Sequence, residues 1–257
     1  MCSKPAGGIL DSFDTISLDG MDNVKLMNRI DTKYVTTVDR LETVLAQSHD
    51  GYLVLETDGR RMHGYDTMYY DTASMAMYLM HHNGRLGRHK IRTRTYLDSG
   101  KSFLEIKRKD NHARSIKKRI SIDDPSSWML RESTQAFISD HSPYVASNIT
   151  PSLRTGFKRI TLVDRARTER ITIDTGLVFE NPRTGISCAD ERLVIIELKQ
   201  SGHGGSMMQN ILRDKRIRPY RISKYCLGCM MTDPGLKRNR FISKLRYIEK
   251  LTSKQLA

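Results

Sequence analysis

HKIRTRTYLDSGKSFLEIKRKDNHARSIKKRISI, residues 89–122, holds three segments that alternate with a period of two. In the first, Lys90, Arg92, Arg94 and Tyr96 fall on one side and Ile91, Thr93, Thr95 and Leu97 on the other, as successive side chains of a strand must. Asp98, Ser99 and Gly100 supply a turn. The second segment sets Glu105, Lys107 and Lys109 against Leu104 and Ile106, and the third sets Lys117 and Arg119 against Ile116, Ile120 and Ile122. The pattern predicts a three-stranded antiparallel meander with one strongly cationic face. A merely solvated sheet face tends to mix signs, because like charges directly opposite one another destabilise the pairing. This face is nearly all of one sign, which predicts a polyanionic ligand. Phosphate comes first, since Arg forks and Lys point charges suit its oxygens.

The whole chain repeats that bias. Its 257 residues carry 43 Lys and Arg against 29 Asp and Glu, a net charge of +14, which points to an acidic partner. The length allows one large domain or two smaller ones, and no linker divides it. With 38% hydrophobic residues it reads as a folded, soluble chain. No apolar run approaches the roughly 20 residues of a membrane helix, and no signal-peptide core opens it, so a cytoplasmic location is expected. Cys2 and Cys188 stand alone, and Cys226-Leu-Gly-Cys229 is a CxxC without the second ligand pair of a structural zinc site. Beside Met230 and Met231 these thiols read as small buried hydrophobes. His81 and His82, just before Asn83-Gly84, read as imidazoles at a helix C-terminus, favoured there by the dipole.

Outward from the meander, residues 1–20 read as a partly ordered lead-in. Arg29 to Val35 alternates as a first strand, with Arg29, Asp31 and Lys33 on one face. Thr37 can cap a helix burying Val38, Leu41 and Leu45. A hairpin is expected from Tyr52 to Glu56 and Met62 to Tyr70 around Asp58-Gly59, and Asp71 and Thr72 can cap a helix from Ala73 to His82 that Gly84 closes. Beyond the meander, Asp124-Pro125 looks like the start of a helix that buries Trp128, Phe137 and Ile138. Strand patterns return at 154–163, 168–179 and 192–199, the last carrying Glu197 and Lys199. Ser201-Gly202-His203-Gly204-Gly205 lacks the spaced lysine of a P-loop and reads as a flexible connection. Helices are expected at 206–218, stopped by Pro219, and at 223–232, stopped by Asp233-Pro234. A last amphipathic helix uses Phe241, Leu245, Ile248 and Leu251. About eight strands in mostly hairpin connection predict an α+β chain, with one antiparallel barrel or sandwich and helices outside. If the charged faces share one barrel, its lumen holds Arg29, Lys33, Arg92, Arg94, Lys107, Lys117, Arg119, Arg154 and Arg170.

The set Arg29-Ile-Asp-Thr-Lys-Tyr-Val, Tyr69-Tyr-Asp-Thr, His81-His-Asn-Gly, Lys90-Ile-Arg-Thr-Arg, Phe103-Leu-Glu-Ile-Lys, Lys117-Lys-Arg, Ile196-Glu-Leu-Lys and Ser223-Lys-Tyr resembles the VTC domain. VTC domains are the polyphosphate polymerase branch of the CYTH, or triphosphate tunnel metalloenzyme, superfamily. The resemblance runs from about residue 20 to about 232, so the chain divides into the lead-in 1–20, a tunnel domain 21–232 and a C-terminal amphipathic helix 233–257. It implies a closed eight-stranded antiparallel tunnel with helices packed outside. Lys33, Arg92, Arg94, Lys107, Lys117, Arg154, Arg170 and Lys224 would hold phosphate, with Arg119 joining Lys117 by strand parity. Glu197 would hold a divalent metal, Mn2+ or Mg2+, with Glu105 either assisting or orienting the neighbouring bases. Arg92, Arg94, Lys107, Glu197 and Lys224 would act on the reacting phosphoryl group of ATP, passing it to a polyphosphate chain. A triphosphatase using a positioned water, or a polyphosphate-binding module without turnover, would use the same tunnel. Nucleic acid fits less well, because few aromatics interleave with the cations. One departure is evident: the wider superfamily opens with an ExExK strand, whereas Arg29 and Asp31 precede Lys33 here. The 257 residues also carry no accessory domain or membrane helices like those of the eukaryotic polymerase subunits.

Overall fold

The computed structural model describes residues 7–22, 29–111, 114–202 and 205–253. Cys2, the first six residues of the lead-in, and His203 and Gly204 of the glycine-rich connection lie outside the described residues. In chain order the strands are β1 (Thr15–Ile16), β2 (Arg29–Thr37), β3 (Tyr52–Leu55), β4 (His63–Asp71), β5 (Arg88–Tyr96), β6 (Ser102–Lys109), β7 (Ser115–Ile122), β8 (Thr150–Asp164), β9 (Glu169–Glu180), β10 (Ser187–Asp190) and β11 (Leu193–Ser201). The helices are α1 (Gly7–Leu10), α2 (Leu18–Asp22), α3 (Val38–Ser48), α4 (Ala76–His82), α5 (Glu132–His141), α6 (Met207–Asp214), α7 (Lys224–Thr232) and α8 (Ile242–Thr252). No helix among the described residues is long and apolar enough to cross a membrane.

The expected meander forms as β5, β6 and β7, and the chain turns between the first two at Gly100, whose φ of 66° is the left-handed conformation that glycine adopts without a Cβ penalty. Within the described residues the strands make one sheet whose main path runs β2-β11-β9-β8-β4-β5-β6-β7, antiparallel at every step. The mixed helix and sheet class agrees with the sequence reading, but the closed barrel needs correction. β2 and β7 end the path and do not pair with each other among the described residues. The outer edge of β2 is taken instead by the chain before α7: Tyr34 bridges Pro219, and the Tyr220 amide donates to the Lys33 carbonyl at 2.6 Å.

The sheet nevertheless rolls. Lys107 on β6 stands six steps along the path from Lys33 on β2, which in a flat sheet would be about 29 Å at about 4.8 Å per strand. Yet Lys33 and Lys90 on β5, five steps apart along the path, reach adjacent residues of one segment, the Ile222 carbonyl at 3.3 Å and Ser223 Oγ at 2.8 Å, and Lys107 stands directly beside Lys90. The two ends of the path therefore face one another across a lumen.

The expected hairpin between β3 and β4 also differs. Asp58 and Gly59 do make a tight turn, and Thr57 bridges Arg60, but β3 pairs with β8 and β1. The fifteen-residue β8 is long enough to carry β4 and β3 along one edge. Residues 7–22 add α1, β1 and α2, and bury Leu10, Phe13, Ile16 and Met21.

Two apolar masses fix the tunnel wall. On the outside, α3 and α6 pack Leu41, Val44, Leu45, Met208 and Leu212 over Ile160, Leu162, Ile171, Ile173, Ile196 and Leu198. The other mass lies on the lumenal side, where Val35, Leu153, Phe179 and Ile195 pack beneath α7. Val35 shares a strand face with Lys33, and Ile195 shares one with Glu197, so α7 covers the apolar end of the face whose other end is charged. Gly228 permits this approach: a Cβ there would meet Phe179 at 2.5 Å and Leu153 at 2.6 Å.

Candidate functional site

Strand register assembles the site. On one wall Lys90 stands opposite Lys107, and Lys107 opposite Lys117, while Arg92 stands opposite Glu105, and Glu105 opposite Arg119. On the facing wall Lys33 stands opposite Glu197, and Glu197 opposite Thr172, while Asp31, Lys199 and Arg170 form the next row. Arg159 on β8 is registered with Asp174 on β9. The first turn of α7 adds Lys224, and this helix is capped by Ser223, whose Oγ accepts from the Cys226 amide at 3.3 Å.

Each carboxylate is bracketed by cations. Glu105 is 1% exposed and accepts from Arg92 Nε at 2.7 Å, while Lys117 pairs with its other oxygen. Burial opposes its ionisation, but Arg92, Arg94 and Lys117 bring it down to about 2. Arg159 holds Asp174 with two parallel bonds of 2.6 and 2.8 Å, and Lys224 makes a third contact. Against the cost of burial, these cations hold Asp174 well below the usual carboxylate range. Glu197 receives Lys199 at 2.7 Å and Lys33 at 3.7 Å, and is likewise held well below its ordinary value despite burial.

The remaining cations crowd one another. Burial, with Lys33 and Lys107 adding to it, brings Lys90 down to about 8 against the opposite pull of Cys226 and Tyr69. Burial brings Lys224 to about 8 although Asp174 supports its charge. Arg94 falls to about 10 through burial and the neighbouring Arg92, and its guanidinium lies over the Tyr65 and Phe157 rings. Burial would raise the Tyr69 phenol, but Arg92, Arg94, Lys90 and Lys224 bring it to about 8, and its oxygen accepts from Arg92 Nη1 at 3.2 Å. A desolvated surplus of positive charge of this kind is relieved by a bound anion.

The fit for a metal is narrower. Among the described residues no three His, Cys, Asp or Glu side chains form a ligand group. Both oxygens of Glu105 face cations. A hard divalent ion shared with phosphate oxygens needs only one or two protein carboxylates. Both oxygens of Glu197 face cations too, but Lys33 stands off from one of them at 3.7 Å, and Asp31 lies diagonally across on the neighbouring strand, so these two carboxylates are the pair that fits such an ion better.

Of the residues singled out in the sequence, Lys33, Arg92, Arg94, Glu105, Lys107, Lys117, Arg119, Arg170, Glu197 and Lys224 come to the lumenal face. Arg29 lies in β2, but its side chain is outside the description. Arg154 needs correction. It faces outward, paired with Asp66 at 3.0 Å and Glu180 at 3.1 Å, because it shares strand parity with Ile160 and Leu162 of the outer core. Arg159 occupies the lumenal face of that strand. Sequence reading missed it, along with Asp174 as its partner and Lys199, although alternation alone placed Arg159 with Thr161 and Lys199 with Glu197. His81 lies in the last turn of α4, as expected, but burial and the charges of Lys90, Arg88, Lys244 and Lys33 push its pKa to about 2, so the imidazole is neutral and sits 3.0 Å from Cys226 Sγ. Cys226 and Cys229 are buried core thiols, as expected.

Comparison with curated proteins gives no match. Among solved structures, the chain resembles a Hippeastrum protein described as having a dominant triphosphatase activity, with 12% identity and a TM-score of 0.49 over 79% of this chain and 97% of that one. It also resembles candidate adenylate cyclases from Bacillus halodurans (13% identity, TM-score 0.47, 84% of this chain and 99% of that one) and Vibrio parahaemolyticus (10%, 0.43, 76% and 94%). Likeness at these scores decides nothing about chemistry. The family model for the VTC domain, in contrast, matches residues 28–232, the span that contains every strand of the main path and the whole of α7. With its charged lumen and the motifs along that span, the chain belongs to the VTC-domain family.

Proposed function

We propose that the chain is a polyphosphate polymerase that moves the terminal phosphoryl group of ATP onto the end of a polyphosphate chain held in the lumen. The observation that carries this reading is the excess of lumenal cations over carboxylates, with Glu105, Asp174 and Glu197 each already engaged by two cations. Phosphoryl transfer asks chiefly for positioning and for stabilisation of negative charge spread over oxygens. Arg92, Arg94, Lys107 and Lys224 supply that charge at the reacting group, and Lys33, Lys117, Arg119, Arg159 and Arg170 hold the phosphates on either side. A divalent ion at Glu197 would neutralise charge between adjacent phosphates of the nucleotide. The attacking oxygen of a polyphosphate end is ionised near neutral pH, so no side chain has to remove its proton.

Hydrolysis makes a different demand, because water must be positioned and deprotonated. Glu105, Asp174 and Glu197 are all depressed below the ordinary carboxylate range, which makes them poor bases. Transfer to a chain end that is already ionised makes no such demand on these carboxylates. Incubating the purified chain with ATP and Mn2+, and resolving polymer on a gel while assaying free phosphate, tests the reading. Polymer with little free phosphate is the expected result; free phosphate alone would replace it with a triphosphatase.

A further inference from the structure

The charged rows continue past the lumen. Along β5 and β6 the lumenal face carries Arg92 opposite Glu105, then Lys90 opposite Lys107, then Arg88 opposite Lys109. Each row lies about 7 Å beyond the last. The first contains a carboxylate and the next two contain none. The chain from Arg221 to Lys224 crosses beside the Lys90 row, and lumenal and surface lysines bind it in sequence. Lys90 donates to Ser223 Oγ at 2.8 Å, Lys33 to the Ile222 carbonyl at 3.3 Å, and Lys244 of α8 to the Arg221 carbonyl at 2.7 Å.

Four cations from four segments thus converge outside the lumen: Arg88, Lys109, Arg221 and Lys244. Lys109 is lowered by burial and by the charges of Arg88 and Arg221, and Lys244 by burial and by Arg221. None of the four belongs to an ion pair among the described residues. The adjacent acid, Asp110, turns Oδ1 to the Arg114 amide at 2.8 Å. Beneath them, neutral His81 feels the same field. Unbalanced convergence of like charge is costly unless an anion lies across it.

The path is also directed. Beyond Tyr69 the lumenal face is filled by Leu153, Phe179 and α7, so a phosphate strand at Lys90 cannot continue along the strands beneath that helix. The charged rows pass beside it instead. We propose that Arg88, Lys109, Arg221 and Lys244 form an outer track that holds the portion of a polyphosphate chain too long for the lumen and leads it out past residues 221–224. This rests on the reading of the lumen as a phosphate site. Continuity with the Lys90–Lys107 row favours polyphosphate over nucleic acid as the occupant.

The test compares the full chain with the double variants K109Q/R221Q and R88Q/K244Q by titration with tripolyphosphate and with polyphosphate of about one hundred units, with far-UV circular dichroism to confirm folding. The ratio of long-chain to tripolyphosphate affinity should fall at least tenfold in both variants, and the salt dependence of long-chain binding should become shallower. The charge-conserving K109R/R221K should keep the ratio. An unaltered ratio in the glutamine variants, or its loss in K109R/R221K, would overturn the track. Displacement of bound polyphosphate from the full chain by single-stranded RNA of equal charge, lost in the glutamine variants, would overturn polyphosphate as its occupant. If the unsubstituted chain bound neither ligand, the phosphate lumen itself would fall, and the track with it.

Discussion

Lys224 and Asp174, fifty residues apart in the chain, form an ion pair that pins the first turn of α7 to β9, and Arg159 grips the same carboxylate from β8. One buried anion therefore ties the helix to the wall it covers. Asp174→Asn should leave two buried cations facing a neutral amide. Removal of one partner from a buried pair typically costs about 3–5 kcal/mol. Urea unfolding should show a loss of that order, while tripolyphosphate binds more tightly because Arg159 and Lys224 are released to it. Unchanged stability would mean that the carboxylate does not tie the helix down.

Gly228→Ala should displace α7, because the new methyl group would meet Phe179 and Leu153 inside van der Waals contact. Overpacking of this kind costs about 1–3 kcal/mol. The loss should appear as a lower midpoint of denaturation together with weaker phosphate binding, since Lys224 moves with the helix. A variant as stable as the parent would show that the site has slack.

Arg154 and Arg159 make a matched pair for testing the wall. Arg159→Gln should weaken tripolyphosphate binding by tenfold or more, whereas Arg154→Gln should change it by less than twofold, because Asp66 and Glu180 hold that guanidinium on the opposite face. Titration calorimetry reads both; equal effects would mean that the parity assignment is wrong.

The lysines predict a pH signature. Lys90 and Lys224 both stand near 8 in the folded chain, against an ordinary value of 10.5. Between those values the unfolded chain binds more protons than the folded one, so their contribution to stability rises as pH climbs from about 8 to about 10.5. An anion reverses the preference by favouring the charged lysines. Tripolyphosphate affinity should therefore fall as pH rises through 8, with proton uptake on binding near that pH, measured by calorimetry in two buffers of different ionisation enthalpy. Glu105 acts at the other limit. Its value near 2 gives stability that is present above about 4.5 and is lost as pH falls toward 2.

Glu197→Gln should abolish metal-dependent turnover while sparing part of the phosphate binding. Undiminished turnover would remove Glu197 from that role. Reversing Arg92 and Arg94 to Glu should eliminate binding of tripolyphosphate altogether.

Much of this wall was legible in advance because strands advertise their faces. Residues 89–122 could be divided into lumenal and outer sets by alternation alone, and Asp71 and Thr72 were recognisable as capping residues. Thr72 Oγ1 accepts from the Ala76 amide at 3.0 Å, and Asp71 accepts from Met77 and Tyr78 at the start of α4. Arg154 went astray because its charge was weighed ahead of its parity. What stayed hidden is long-range. Nothing local in Tyr52–Leu55 distinguishes pairing with β4 from pairing with β8, and nothing local in β2 or β7 says whether they meet. The approach of α7 to Leu153 depends on a contact seventy-five residues distant, and the only trace of it in the sequence is a glycine inside a helix.

In a barrel whose strands bond all the way round, strand number and stagger set the diameter. Here β2 and β7 are not paired among the described residues, and residues 219–224 join β2 to β5 instead, through the Tyr34–Pro219 bridge and through Lys33 and Lys90, which reach Ile222 and Ser223. Girth is then no longer quantised. A wall joined in this way is not held to one diameter by its strand ladder, so the sheet alone does not fix the size of the anion that fits inside it.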